Sequence, residues 1–156
     1  MDGGEVELLA ELSAAVGAEH VVTHEHQLRT SESDGLLQYA VTPRAVVLPS
    51  CTEEVQAVVR ACHRAGVPWV ARGAGSGLSG GATPVADGLL ISLSRMRSIF
   101  EVDLANQRVV VEPGVTNIAV SQAVGPDHFY PPDPSSQIVC TIGGNVAENS
   151  GGAHCF

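Results

Sequence analysis

At 156 residues, 44% of them hydrophobic, the chain has the make-up of one ordinary folded domain or a piece of a larger one. Its formal net charge is −9 and all 8 basic residues are arginine, which argues against a cationic face for nucleic acid or acidic membranes. A phosphate-bearing ligand would therefore have to be held mainly by backbone N–H groups, with arginine in support. Taken in order, Leu8, Leu9, Leu12, Ala15 and Val16 recur at helical spacing, and Gly17 follows as a stop. "HVVTHEH" (20–26) reads as a short strand, "RTSESDGLLQY" as a polar loop, and "AVVLP" (45–49) as a second strand ended by proline. A helix follows, with Ser50 and Glu53 fitting a capping box, Val55, Val58, Val59 and Cys62 forming a stripe, and Gly66 closing it. "VPWVA" (67–71) is a third strand. The strand–helix–strand order suggests a small parallel βαβ unit.

Three more strand-like runs come next, "LLISLS" (89–94), "SIFEVD" (98–103) and "RVVVEP" (108–113), with "ANQ" as a hairpin turn before the last. "TNIAVSQAVG" (116–125) is a helix candidate with Ile118, Ala119, Ala123 and Val124 inward. "YPPDPSSQ" (130–137) carries too many prolines for regular structure.

Between the third and fourth strands, "VPWVARGAGSGLSGGATP" (67–84) runs into a glycine cluster. Gly75-Ser76-Gly77-Leu78-Ser79-Gly80 satisfies the G-x-G-x-x-G dinucleotide pattern, which requires a helix opening at its last glycine. Pro84 and Gly88 deny that helix. A Walker loop is excluded as well, since the chain has no lysine. Two readings remain, a flexible linker or a strand-anchored nest whose N–H groups turn toward a pyrophosphate. Arg72 would add a charge to such a nest or serve a structural ion pair. A second cluster, "TIGGNVAENSGG" (141–152), supports the nest. Gly143 and Gly144 would allow close approach to a flat ligand, and Asn145 offers a donor and an acceptor to a heteroaromatic edge. Two such clusters separated by an antiparallel segment suit a long cofactor gripped at two points.

"ARGAGSGLSGG" followed by "YPPDPSSQIVCTIGGNVAENSGGAHC" resembles the FAD-binding domain of FAD-linked oxidases of the vanillyl-alcohol oxidase type. The likeness is strongest to the glycolate oxidase D-subunit branch, related to D-lactate and D-2-hydroxyglutarate dehydrogenases. It extends through "SDGLLQY", "VVLPS" and "VEPGVTNIAVSQAV". The resemblance implies an α+β fold of the PCMH type: a small parallel βαβ subdomain (about 1–73), then the start of a mainly antiparallel one (about 74–156), with FAD between them. It places the pyrophosphate loop on Gly73, Ala74, Gly75, Ser76 and Gly77, with Gly80 nearby. A second FAD-contacting segment falls on Pro132, Asp133, Cys140, Thr141, Gly143, Gly144 and Asn145. Ser76 occupies the place of the histidine that tethers FAD in some relatives, so non-covalent FAD is implied. Where many relatives carry an aromatic residue, this chain has Ser31. Relatives continue past "GGAHC" with a "K-Y-G" segment, the rest of the FAD domain and a substrate domain. The catalytic base and metal-binding histidines lie there, so no catalytic or metal residue is expected here, and this chain alone would be inactive.

The implied reaction is oxidation of a 2-hydroxy acid, of glycolate or D-lactate type, to a 2-oxo acid. The alternative is a non-catalytic flavin-binding module or split subunit that needs a partner chain, such as other subunits of a glycolate oxidase-like complex. His24 and His26 would share one strand face as a metal pair, but with no third ligand they read as ordinary polar residues. His154 and Cys155 could lie near the flavin, although disorder is the expectation at a chain end. Cys51, Cys62, Cys140 and Cys155 are too scattered for a zinc knuckle or redox pair, Cys62 reading as core packing. The acidic N-terminus lacks a signal-peptide pattern and no apolar run suits a membrane span, so a reduced cytoplasmic setting is expected.

Overall fold

Strands buried on both faces cannot alternate apolar with polar residues, and the two inner strands of the first sheet show that rule. The structure, a computed structural model, describes residues 3–155 and divides between Arg95 and Met96 into two compact units. The first unit contains α1 (Gly3–Val16), β1 (Val21–Val22), α2 (Glu25–Leu28), β2 (Ala45–Val47), α3 (Thr52–Ala65), β3 (Trp69–Arg72) and β4 (Leu89–Ser92). Its sheet runs β1-β2-β4-β3, with β1 antiparallel and the other three parallel. Ala45, Val47, Leu89 and Ile91 share one face and pack with Leu8, Leu12 and Val16 of α1 and Val58, Ala61 and Cys62 of α3. Val46 and Leu90 point the other way, toward Leu28. Every residue of β2 is buried, as are Leu89, Leu90 and Ile91 of β4, which is why both read as unbroken apolar runs.

The strand–helix–strand reading holds, but β2 and β3 are not neighbours. β4 lies between them, with Leu89 paired to both Ala45 and Trp69. The glycine loop is therefore the crossover between two adjacent parallel strands, a connection that usually takes a helix. On the edge strand β3, which has a neighbour on one side only, Trp69 is 42% exposed. α3 begins one residue later than the capping box implies. Cys51 is the N-cap, and Glu54 rather than Glu53 accepts from Ser50, at 2.6 Å from its backbone N–H and 3.0 Å from its hydroxyl. Gly66 closes the helix in the left-handed conformation (φ 64°). The stretch 20–26 is strand only at Val21–Val22. His24 caps α2 and His26 lies within it, so the two histidines do not share a strand face.

The second unit contains the antiparallel pair β5 (Ile99–Asp103) and β6 (Arg108–Val111), then α4 (Asn117–Ala123) and α5 (Ile142–Glu148). The hairpin turn is fixed by Asp103, which accepts from the backbone N–H and side-chain amide of Asn106 at 3.1 and 2.7 Å. Those bonds and Arg108 hold the Asp103 carboxyl below its ordinary range. α4 turns a different face inward than its apolar pattern suggests: Asn117 and Val120 are buried, while Ala123 is exposed. The reason is the first turn of α4, where Asn117 and Ile118 donate their N–H groups to the carbonyls of Cys140 and Gln137 at 3.0 and 3.1 Å. Residues 130–137 form no regular element.

Candidate functional site

The first glycine cluster is braced from beneath by a segment far away in sequence. Arg72, the last residue of β3, extends its guanidinium under the loop and donates from Nη1 to the carbonyls of Ser33 (2.8 Å), Ala82 (3.2 Å) and Ser31 (3.3 Å). Burial lowers the Arg72 pKa, and the nearby Asp34 charge partly offsets this. Asp34 is itself buried and accepts two backbone N–H groups, from Gly80 and from Leu36, each at 2.9 Å. Gly35 donates its N–H to the Gly77 carbonyl at 2.9 Å, and a Cβ on Gly35 would stand 2.7 Å from the Ser76 carbonyl oxygen. Gly75 (φ 72°) lies directly against the Arg72 guanidinium, where any side chain would collide. Arg72 is thus a structural brace here, and the linker reading fails because both the loop's ends and its middle are tied.

That bracing leaves a row of donors unused. Among the described residues, the backbone N–H groups of Ala74, Gly75, Ser76, Gly77 and Leu78 bond to no other group of the chain. Five consecutive open N–H groups on a braced loop, with the Arg72 guanidinium against Gly75, are a set of donors of the kind an anion requires. The polar run 27–39 hides its role in sequence. The one available signal was an Asp-Gly pair in a stretch otherwise free of structure-forming pattern.

The second cluster is not a loop. Gly143 and Gly144 lie in the first turn of α5, with Thr141 as N-cap accepting from Gly144 N–H at 3.4 Å and Asn149 closing the helix at φ 50°. Paired glycines mask a helix in any propensity reading, whereas the Thr at the cap and Asn at the end were visible signals. Gly143 is needed for packing: a Cβ there would come within 2.8 Å of the Pro113 Cβ, and its N–H donates to the Pro113 carbonyl at 2.9 Å. Ile142 N–H donates to Val115 O at 2.9 Å, and Thr116 bridges Thr141. Cys140 is buried beside them and donates its N–H to Ser136 O at 2.8 Å.

Two buried side-chain amides face this region with an atom unpaired. Asn117 is fully buried and donates from Nδ2 to the Pro132 carbonyl at 2.7 Å, but its Oδ1 has no partner. Asn145 is buried and its Nδ2 has none. Buried polar atoms are rarely left so, each costing about 1–3 kcal/mol. An unpaired acceptor and an unpaired donor fit the polar edge of a heteroaromatic ring, as the open N–H row fits a pyrophosphate. Asp133 is occupied within the chain: His154 donates its backbone N–H to Oδ1 at 3.2 Å, and its Nδ1 lies 2.6 Å from Oδ2. His154 is thus tied to Asp133 through two bonds. Of the thirteen residues expected to contact FAD, those from Gly73 to Gly80 fall on one braced loop, those from Cys140 to Asn145 lie at the start of α5, and Pro132 and Asp133 bond to Asn117 and His154. Among the described residues no group of three or more His, Cys, Asp or Glu could hold a metal ion.

The FAD binding domain family model matches residues 43–156. The chain is 53% identical over 126 residues to the glycolate oxidase subunit GlcD of Escherichia coli (strain K12), covering 80% of this chain and 25% of that one. It is 40% identical over 111 residues to a D-lactate dehydrogenase of Anaerostipes hadrus, covering 70% and 23%. It thus spans about a quarter of the length of these relatives. Among solved structures, p-cresol methylhydroxylase with substrate bound superposes with a TM-score of 0.82 at 23% identity, over 96% of this chain and 30% of that one.

Proposed function

The chain belongs to the FAD binding domain family, with the α+β PCMH-type fold and FAD as cofactor, and on that premise we propose that it is the cofactor-holding part of a flavin-dependent oxidoreductase acting on a 2-hydroxy acid. Glycolate and D-lactate are the substrate type in this reading, supported by the names of the relatives at 53% and 40% identity. The observation that carries the proposal is the row of open N–H groups from Ala74 to Leu78, on a loop braced by Arg72 and Asp34. Gly73, Ala74, Gly75, Ser76, Gly77 and Gly80 then hold the pyrophosphate. Cys140, Thr141, Gly143, Gly144 and Asn145 meet the rest of the cofactor, with Pro132 and Asp133 alongside. Gly75 and Gly80 (φ 72° and 83°) supply the turns a side chain would resist. Bound FAD supplies the two-electron acceptor that turns a 2-hydroxy acid into a 2-oxo acid. This chain's residues bind and orient it, and none of them takes the substrate proton. Binding is non-covalent in this reading, since the hydroxyl of Ser76 stands where a tethering histidine would.

No described helix is long and apolar enough to cross a membrane, and a cytoplasmic setting is part of the same proposal. A second reading, a flavin-binding unit that works only against another chain, is favoured by apolar surface on the second unit. Phe100, Ile138 and Val146 are exposed, and an open cleft of about 560 Å³ has Val109, Val111, Val120, Val124 and Ile142 in its lining beside Arg108, Asp127 and His128. The deciding experiment is FAD titration of the purified protein, followed by anaerobic mixing with glycolate or D-lactate. Tight FAD binding with bleaching of the flavin absorbance supports the enzyme; binding without bleaching favours the second reading. Absence of any FAD affinity defeats both.

A further inference from the structure

Resting on the cofactor-holding role above, we infer that Asp133 and His154 form a clasp that closes residues 133–154 into a loop and thereby positions the second set of FAD contacts. One residue engages both carboxylate oxygens, through its backbone N–H at 3.2 Å and its ring Nδ1 at 2.6 Å, so distance and orientation are fixed together. The chain returns to Asp133 with no space to spare: a Cβ on Gly152 would lie 2.5 Å from the Asp133 carbonyl group. Phe129 meets the His154 ring edge-on at a centroid distance of 5.8 Å.

What the clasp holds is the pair of unsatisfied amides. On one side, the residue before Asp133 gives its carbonyl to Asn117 Nδ2 at 2.7 Å, orienting the amide whose Oδ1 stays open. On the other, Ser150 donates its N–H to the Asn145 carbonyl at 2.8 Å, linking the returning segment to the residue whose Nδ2 stays open. Fixing Asp133 to His154 adds a further tie between the segments that carry the two amides, beside the Asn117 N–H to Cys140 carbonyl bond. Tying the two ends also removes the closure entropy of the intervening segment before any ligand arrives. The same geometry decides the role of Asp133. Both Asp133 oxygens are engaged by His154, which leaves the carboxylate fewer open acceptor positions toward a ligand. The bonds from His154 also hold the Asp133 carboxyl below its ordinary range. Asp133 and His154 are positioning residues in this scheme.

The test uses protein expressed from its complete coding sequence and reads two quantities, amide hydrogen exchange without cofactor and FAD affinity. Asp133→Ala and His154→Ala are each expected to speed exchange of the 150–154 amides about tenfold and to weaken FAD binding about fivefold. The double variant should be no weaker than either single one, because the two act as a unit. His154→Asn, which offers an amide donor close to the Nδ1 position, should recover most of the loss. The His154 side chain is 63% exposed, so His154→Ala carries the test if Asp133→Ala does not accumulate. Unchanged exchange in both variants overturns the clasp. Faster exchange with unaltered FAD affinity overturns its positioning role, and additive losses in the double variant make Asp133 a direct cofactor contact instead. If the unmutated protein shows protected amides but no FAD affinity, the clasp stands and the cofactor-holding reading falls.

Discussion

The two glycine clusters look alike in sequence and are built on opposite plans. In the first, glycines free the backbone: Gly75 and Gly80 have positive φ, and the loop's N–H groups are left open. In the second, the critical glycines exist for packing, Gly143 against Pro113 and Gly152 against Asp133, and the open groups are side-chain amides. The bracing differs as well. A buried Asp–Arg arrangement supports the first, and a partly exposed Asp–His pair the second. Glycine density alone therefore says that backbone comes close to something, not whether that something is a ligand or the protein itself.

Substitutions that break one plan should leave the other intact. The largest effect is expected from Asp34→Ala, which orphans two N–H groups and leaves the Arg72 charge without its nearest anion. Stability should fall by about 3 kcal/mol in thermal or urea unfolding, and FAD affinity by tenfold or more. Next, Gly143→Ala forces the first turn of α5 off Pro113, and about 2 kcal/mol of stability should be lost, again by unfolding measurements. The loop amides would be untouched by it. Asn145→Leu sharpens the contrast because its two effects have opposite signs. Removing a buried unpaired donor should leave the cofactor-free protein as stable or about 1 kcal/mol more stable, while FAD affinity drops about tenfold. A loss of stability on that substitution would mean the donor has a partner in the free protein.

The smallest effect is one of pH. The Asp133 carboxyl titrates below its ordinary value of 3.8, chiefly through the His154 bonds. Its contribution is therefore complete above that value and disappears only as pH falls through the lowered one. Comparing wild type with Asp133→Asn, the difference in melting temperature should be flat from pH 7 down to about 4.5 and shrink only below about pH 4. A difference that fades already well above about pH 4 would overturn the assignment to the Asp133 carboxyl.

Much of this could be read from sequence where local pattern and tertiary need agree. The unbroken runs of β2 and β4, the stripe of α3 with its Gly66 stop, and the refusal of Pro84 and Gly88 to continue a helix all express short-range constraints. What was not legible depends on partners distant in the chain. Arg72 finds Ser31 and Ser33, and Gly80 finds Asp34, roughly 40 residues earlier in the chain, within a polar segment that has no period of its own. α4 is rotated by bonds to Gln137 and Cys140 that its own apolar pattern does not encode. In α5, the packing that demands Gly143 is the very reason the helix looks like a loop.

The exposed Trp69 has a practical consequence. It is the chain's single tryptophan, and it begins the four-residue strand that ends at Arg72 and opens into the glycine loop. All indole emission from this chain therefore originates within one strand's length of the first cluster. A flavin seated there would lie close enough to drain that emission, so the chain carries its own optical gauge of cofactor arrival. No label is needed.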